Sequence, residues 1–304
     1  NGETLMNIFN LTIKAMLPLV PKPLVRQIAK PYIAGETLEE LVGVVEDLNL
    51  NGFRVATSIL GEFVNEQNQA IEAGVDYIEV LTEIQSRNLD SNIHVKLTHL
   101  GLKIDKELCY SNLKSILKKA EETHNFVRID MEDSSCTDDT LSIFEKAQRE
   151  FENVGIVIQA CMRRSMADIQ KLNALKANVR LCKGIYIEPR NIAYNDYQNV
   201  RENYSTLLKE LLTAGCYVGI ATHDEWLVQN AFQTIDDLGL KPTQYEFQML
   251  YGVTPSLRQS IREAGHRLRV AVPFGPAWYP YSIRRLRKNP TIAGYVLKAL
   301  LKLD

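Results

Sequence analysis

Between residues 53 and 274 the chain repeats one pattern eight times, a short β-rich run followed by a helical stretch. The runs are 53–57, 93–98, 126–131, 155–160, 178–183, 217–222, 245–250 and 268–274. Helical periodicity fills 106–124, 138–152, 165–176, 195–214, 225–238 and 256–264. Strands joined by helical crossovers run parallel, because each crossover returns the chain to the same end of the sheet. Eight such units over about 250 residues have the count and size of an α/β fold of the (β/α)8, TIM-like barrel type. A doubly wound open sheet is the rival. It usually carries a glycine-rich loop after its first strand, and Ser58-Ile59-Leu60-Gly61-Glu62 is not one.

Ahead of the repeat, residues 5–48 read as helical, broken by Pro18, Pro21, Pro23 and then Gly35. The expected organisation is a helical extension over 1–50, packed on a barrel that takes up 51–304. A last helix, starting near Tyr279, would lie over the mouth of that barrel. A net charge of -2 supplies no bulk field for nucleic acid. The five cysteines (Cys109, Cys136, Cys161, Cys182, Cys216) contain no C-x-x-C pair, which argues against zinc or disulfide frameworks and for a reducing, cytoplasmic setting. His94, His99, His124, His223 and His266 are too scattered for metal-ligand spacing, so no metal is expected. No run approaches the roughly 20 apolar residues that span a bilayer, and the start lacks the order of a signal peptide.

Charges inside strands need a reason, since a buried unpaired charge is costly. Lys96, Arg128 with Asp130, Arg180 with Lys183, the Thr222-His223-Asp224 run, and Glu246 with Gln248 all stand at or near strand C-terminal ends. Alternation puts Arg128 and Asp130 on one face, and Glu246, Gln248 and Leu250 on one face. The polar faces are expected inside the barrel, at the end where barrel enzymes keep their active sites. A structural ion pair explains any one of these charges more readily than it explains five strands at once. On the last helix, Arg284 and Arg285 are neighbours near its start and could reach one anion, for which the guanidinium fork suits a carboxylate. A solvated basic face accounts for that cluster about as well.

Leu60-Gly61-Glu62, Val95-Lys96-Leu97, Arg128-Ile129-Asp130-Met131-Glu132, Arg180-Leu181-Cys182-Lys183-Gly184-Ile185-Tyr186, Ala221-Thr222-His223-Asp224, Glu246-Phe247-Gln248-Met249-Leu250 and Tyr281-Ser282-Ile283-Arg284-Arg285 occur in this order, nearly one per strand. The set resembles the proline dehydrogenase family, of the monofunctional bacterial type, from about Leu60 to Asn289. The resemblance implies FAD-dependent oxidation of L-proline to 1-pyrroline-5-carboxylate, by hydride transfer to the flavin and passage of electrons to a quinone. It implies peripheral contact with the inner face of the membrane. Catalytic roles would fall to Asp130 and Arg180. Lys96, Arg284 and Arg285 would hold the substrate carboxylate, Leu250, Ala271 and Tyr281 would line the ring, and Glu62 would pair with Arg284 as a gate. Met131, Gln159, Arg180, Lys183, Gly184, Ile185, Tyr186, Thr222, His223, Gln248 and Arg285 would hold the cofactor.

Three positions depart from the family pattern. Ala271 replaces a tyrosine, Ser58 an aspartate and Lys288 a glutamate. Lineage drift explains them, and so does a different ring substrate such as 4-hydroxyproline, although alanine offers no hydrogen bond to select a hydroxyl. Two readings of other classes stay open. One is a flavin-free lyase using Lys96 or Lys183 as a Schiff-base amine; the other is a non-catalytic barrel that binds a small carboxylate.

Overall fold

A computed structural model describes residues 22–288. Helices α1 (Lys22–Ala29) and α2 (Leu38–Leu50) come first, then eight strands alternating with helices. The strands are β1 (Arg54–Ile59), β2 (Ser91–Val95), β3 (Val127–Ile129), β4 (Val154–Gln159), β5 (Asn178–Cys182), β6 (Val218–Ala221), β7 (Tyr245–Leu250) and β8 (Leu268–Phe274). Following them in turn are α3 (Gln67–Ser86), α4 (Lys106–Glu122), α5 (Thr137–Gln148), α6 (Ser165–Ala174), α7 (Tyr197–Thr213), α8 (Glu225–Asp237), α9 (Pro255–Glu263) and α10 (Trp278–Lys288). The strands pair in parallel in chain order, and β8 closes on β1, giving a closed eight-stranded barrel. The open-sheet alternative is thereby excluded.

Register divides each strand into two faces. Val55, Ile93, Val127, Ile156, Val179, Ile220, Phe247 and Val270 are buried against the helices and join one continuous core with Tyr77, Leu113 and Phe144. The other face looks into the barrel and is polar. There His94 lies opposite Arg128, Arg128 opposite Gly155, Arg180 opposite Gly219, and Gln248 opposite Arg269. Glycine at two of these positions makes room: a Cβ on Gly155 would strike the Arg128 guanidinium, and one on Gly219 the Gln248 amide.

The inward charges sort into two levels, which corrects the expectation that all of them serve the mouth. Arg128 is 1% exposed and donates to the Ile156 carbonyl at 3.2 Å, the Asn178 carbonyl at 2.6 Å and Asn178 Oδ1 at 2.5 Å. Arg269 donates to Glu246 Oε1 and to the Val55 carbonyl, each at 2.7 Å. Asn178 and Val55 belong to the N-terminal halves of their strands, so Arg128, Glu246 and Arg269 form a polar floor braced by these hydrogen bonds. Only the charges above that floor remain for chemistry.

Helix α2 starts with a capping box, Thr37 Oγ1 accepting from Glu40 N while the Glu40 carboxylate accepts from Thr37 N. Its Leu41, Val45 and Leu48 enter the main core. Val25, Ala29 and Ile33 form a separate cluster with Leu60, Trp278 and Ile283. Two backbone bonds, Ala34 N to Pro273 O and Gly275 N to Gly35 O, both 3.0 Å, tie this segment to the C-terminal end of β8.

Candidate active site at the C-terminal mouth

Each polar group at the mouth is delivered by the end of a strand or the loop that leaves it. Lys96 follows β2 and Asp130 follows β3, and strand pairing sets them side by side. Lys96 Nζ lies 3.8 Å from Asp130 Oδ2 and 3.9 Å from Glu62 Oε1, so one ammonium stands between two carboxylates. His94, one inward position below Lys96, brings Nδ1 to 3.4 Å from Asp130 Oδ1. Burial works to raise the Asp130 carboxyl, but His94, Lys96 and Arg180 outweigh it and hold it well below the usual range. Burial pushes His94 down to about 4 against the pull of Asp130, so the imidazole is neutral at physiological pH.

Opposite this pair, Arg180 of β5 gives its Nε–H to Gln248 Oε1 of β7 at 2.7 Å, across the short strand β6. Gln248 donates in turn from Nε2 to Glu246 Oε1 at 2.7 Å. Leu250 and Ala271 are register partners on β7 and β8, and Ser58 faces inward beside Pro273. The mouth thus carries two cations, Lys96 and Arg180, both close enough to Asp130 to lower its carboxyl, a second carboxylate at Glu62, and the apolar pair Leu250 and Ala271.

The loops after β4, β5 and β6 form the opposite rim. Gln159 donates to the Glu132 carbonyl at 2.8 Å. Gly184 has φ +98, and a Cβ there would drive into Cys161 Sγ, so the backbone approaches its neighbours as only glycine allows. Lys183 Nζ reaches Asp224 Oδ2 at 2.8 Å. Thr222 is buried and its Oγ1 accepts from Asp224 N at 3.1 Å, while His223 Nε2 accepts from Leu250 N at 2.8 Å. Ile185 is exposed and Tyr186 half-buried on the same loop, and Met131 is buried behind Asp130.

Three further groups shape the mouth: Asp224, which sequence reasoning put at the strand end without a role, and Glu132 and His94, which it did not place here. Asp224 caps α8 and collects Lys183, Arg201 and Tyr197; an aspartate just ahead of a helical run was the signal that could have marked it. Glu132, fully buried, accepts from Thr98 N at 3.0 Å and from Thr98 Oγ1 at 2.5 Å, and burial pushes its carboxyl up. Thr98 Oγ1 in turn accepts from Phe63 N at 3.2 Å, which anchors the loop bearing Glu62. His94 had been set aside with the scattered histidines. On the last helix, Tyr281 is half-buried, whereas the side chains of Arg284, Arg285 and Lys288, and so the Glu62–Arg284 gate, lie outside the described residues.

A closed barrel with a polar, cation-bearing C-terminal mouth has the form of a (β/α)8 enzyme acting on a small anionic ligand. Residues 42–296 match the family model for proline dehydrogenase. Over 274 residues the chain is 36% identical to proline dehydrogenase 1 of Bacillus subtilis subsp. natto, with 90% of this chain and 91% of that one covered. Over 302 residues it is 33% identical to the proline dehydrogenase of Deinococcus radiodurans, covering 95% and 97%. The crystal structure of proline utilization A from Bdellovibrio bacteriovorus, inactivated by N-propargylglycine, is similar in fold with a TM-score of 0.84 at 24% identity. That likeness takes in 94% of this chain but spans only 37% of the larger protein. The chain belongs to the proline dehydrogenase family.

Proposed function

We propose that this chain oxidises L-proline to 1-pyrroline-5-carboxylate with FAD held across the C-terminal mouth. The observation that carries the reading is the pairing of two oriented cations, Arg180 fixed by Gln248 and Lys96 flanked by Asp130 and Glu62, both close to the Asp130 carboxylate. The residues suit a flavin dinucleotide. Gln248 takes only the Nε–H of Arg180, so the terminal amino groups can meet a flavin that gains negative charge on reduction. Gln159 spends its amino group on Glu132 and keeps an oxygen for a ring N–H. Gly184 opens the backbone where Lys183, Ile185, Tyr186, Thr222 and His223 gather along a dinucleotide path. Bound FAD would supply the hydride acceptor, and a quinone reached by peripheral membrane contact would then take the electrons.

The chain's own work is orientation. Lys96, with Arg284 and Arg285 from α10, would fix the substrate carboxylate, converting a chance encounter into one geometry. Asp130 keeps the Lys96 ammonium in place and, with Met131, would help to hold the flavin. Leu250 and Ala271 would form the wall against the ring carbons, with Tyr281 above them, and Glu62 would close over the site. Within this reading, 1–50 is a helical extension and 51–304 the catalytic barrel. Among the described residues no helix is long and apolar enough to cross a membrane.

Ala271 favours a second substrate reading, because its small side chain leaves space beside Leu250 for a substituted ring such as 4-hydroxyproline. One experiment covers both. The visible spectrum of the purified protein is recorded without oxygen, before and after L-proline and, separately, trans-4-hydroxy-L-proline. Flavin absorbance near ~450 nm that bleaches with proline supports the proposal. Bleaching by hydroxyproline alone moves the substrate, and a protein still colourless after incubation with FAD ends the flavin reading.

A further inference from the structure

Arg180 owes its direction to a group that touches neither substrate nor cofactor in the proposed reading. Glu246 is 2% exposed and sits on the barrel floor. Its Oε1 accepts from Arg269 Nε at 2.7 Å, and Arg269 is itself pinned to the Val55 carbonyl at 2.7 Å. The same Oε1 accepts from Gln248 Nε2 at 2.7 Å, and Gln248 Oε1 accepts from Arg180 Nε at 2.7 Å. The four side chains form one line from floor to mouth, and at each of its three links a donor meets an acceptor.

Gln248 is the only member that could turn end for end. A carboxylate only accepts, and a guanidinium only donates. Reversing the amide would set oxygen against oxygen at Glu246 and N–H against N–H at Arg180, losing two buried hydrogen bonds together. Of the two ends, Glu246 is the fixed one. It is buried and braced by Arg269, with Arg128 and Tyr217 close by, whereas Arg180 is half-buried at the opening. Burial, then the charge of Glu246, pushes the Tyr217 phenol up to about 12, so that side chain adds no second charge to the floor at physiological pH.

We propose that Glu246 is a positioning residue for Arg180: its buried oxygen sets the orientation of the Gln248 amide, and that amide aims the guanidinium into the mouth. The proposal rests on Arg180 being an active-site group, but the acceptor oxygen, not the negative charge, is what it requires. Glu246→Gln can present the same shared oxygen and leave its amino group where Oε2 stood. Glu246→Leu removes the acceptor and lets the Gln248 amide turn.

The test follows solvent exchange of the Arg180 Nε–H by nuclear magnetic resonance, on the full chain with and without added FAD. The signal is assigned by its loss in Arg180→Lys. Exchange is read relative to the backbone amide of Leu181, which reports general opening of the barrel. Wild type and Glu246→Gln are expected to protect the Arg180 proton alike, and Glu246→Leu to speed its relative exchange about tenfold, the loss of one hydrogen bond to a charged group. Equal relative protection in all three proteins overturns the proposal. Because Glu246→Leu also takes an acceptor from Arg269 and weakens the fold, a neutron structure of the wild-type protein gives a second reading. Deuterons on the Gln248 nitrogen facing Glu246 are expected, and deuterons facing Arg180 overturn it. Both readings need no flavin, so a colourless protein would end the proposed function and leave this relationship to stand or fall separately.

Discussion

Lys183 and Asp224 leave different strands, β5 and β6, yet meet at 2.8 Å, Nζ to Oδ2. Arg201 from α7 adds Nη2 at 2.7 Å and Nε at 2.8 Å, and Tyr197 OH adds a bond of 2.6 Å. The carboxylate is 3% exposed and also caps α8. Asp224→Ala would leave two cations facing one another at the rim, and a loss of about 3 kcal/mol in urea unfolding is expected. Burial raises this carboxyl, but Arg201, Lys183 and Tyr197 prevail and hold it low. A carboxyl lowered on folding stabilises at every pH above its unfolded value near ~3.9 and stops doing so as pH falls through its folded value. The difference between wild type and Asp224→Ala should therefore be flat from neutral pH to about pH 4 and shrink only below that.

His94 gives the opposite kind of pH dependence. Its folded pKa is about 4, below its unfolded value of 6.5. Between those values the unfolded chain binds a proton that the folded one refuses, so stability falls on acidification through this window. The shift corresponds to at most about 3 kcal/mol. Urea unfolding between pH 7 and pH 4 should show that slope in wild type and a shallower one in His94→Gln. Equal slopes would mean that the imidazole is not kept neutral by burial.

Gly184→Ala places a Cβ on a backbone with φ +98 and against Cys161 Sγ. Left-handed backbone costs an alanine roughly 1–2 kcal/mol, and the collision adds to it. A lower Tm and weaker uptake of FAD by the apoprotein are expected together. A lower Tm with unchanged FAD affinity would place the loop after β5 away from the dinucleotide.

Lys96→Met keeps the length of the side chain and removes the charge between Asp130 and Glu62. If Lys96 orients the substrate carboxylate, KM for proline should rise about 10- to 100-fold, the worth of one charged hydrogen bond. Steady-state kinetics with an artificial electron acceptor would read it. An unchanged KM would remove Lys96 from the binding site.

Ala271→Tyr returns a phenol to the wall beside Leu250. Filling that space should change the ratio of kcat/KM for proline over 4-hydroxyproline by about 10-fold or more in favour of proline, as expected for a pocket contact. A ratio that does not move would mean that position 271 stands off the ring.

The fold was legible because period and burial agree. Strands β7 and β8 end where the alternation of Tyr245–Leu250 and Leu268–Phe274 ends. Strand β3 is shorter than the β-rich run 126–131: it ends at Ile129, although Asp130 N still bonds Val95 O of β2. The long helix Gln67–Ser86 was harder to see, since Ala70, Ala73 and Gly74 supply much of its buried face and give little apolar contrast. At the site, residue type indicated which strands carry polar groups, but not their height in the barrel. Arg128 and Asp130 alternate alike in sequence, and only register shows that one braces the floor while the other meets Lys96. Contacts such as Lys183 with Asp224, 41 residues apart, depend on strand order and leave no local trace.

His223 Nε2 accepts from Leu250 N, so a residue on the proposed dinucleotide side holds the backbone beneath a residue on the proposed ring wall. Redesign of the two sides is therefore not separable. A substitution at His223 takes the acceptor from the Leu250 amide, and so loosens the end of β7 from which the Leu250 side chain is presented.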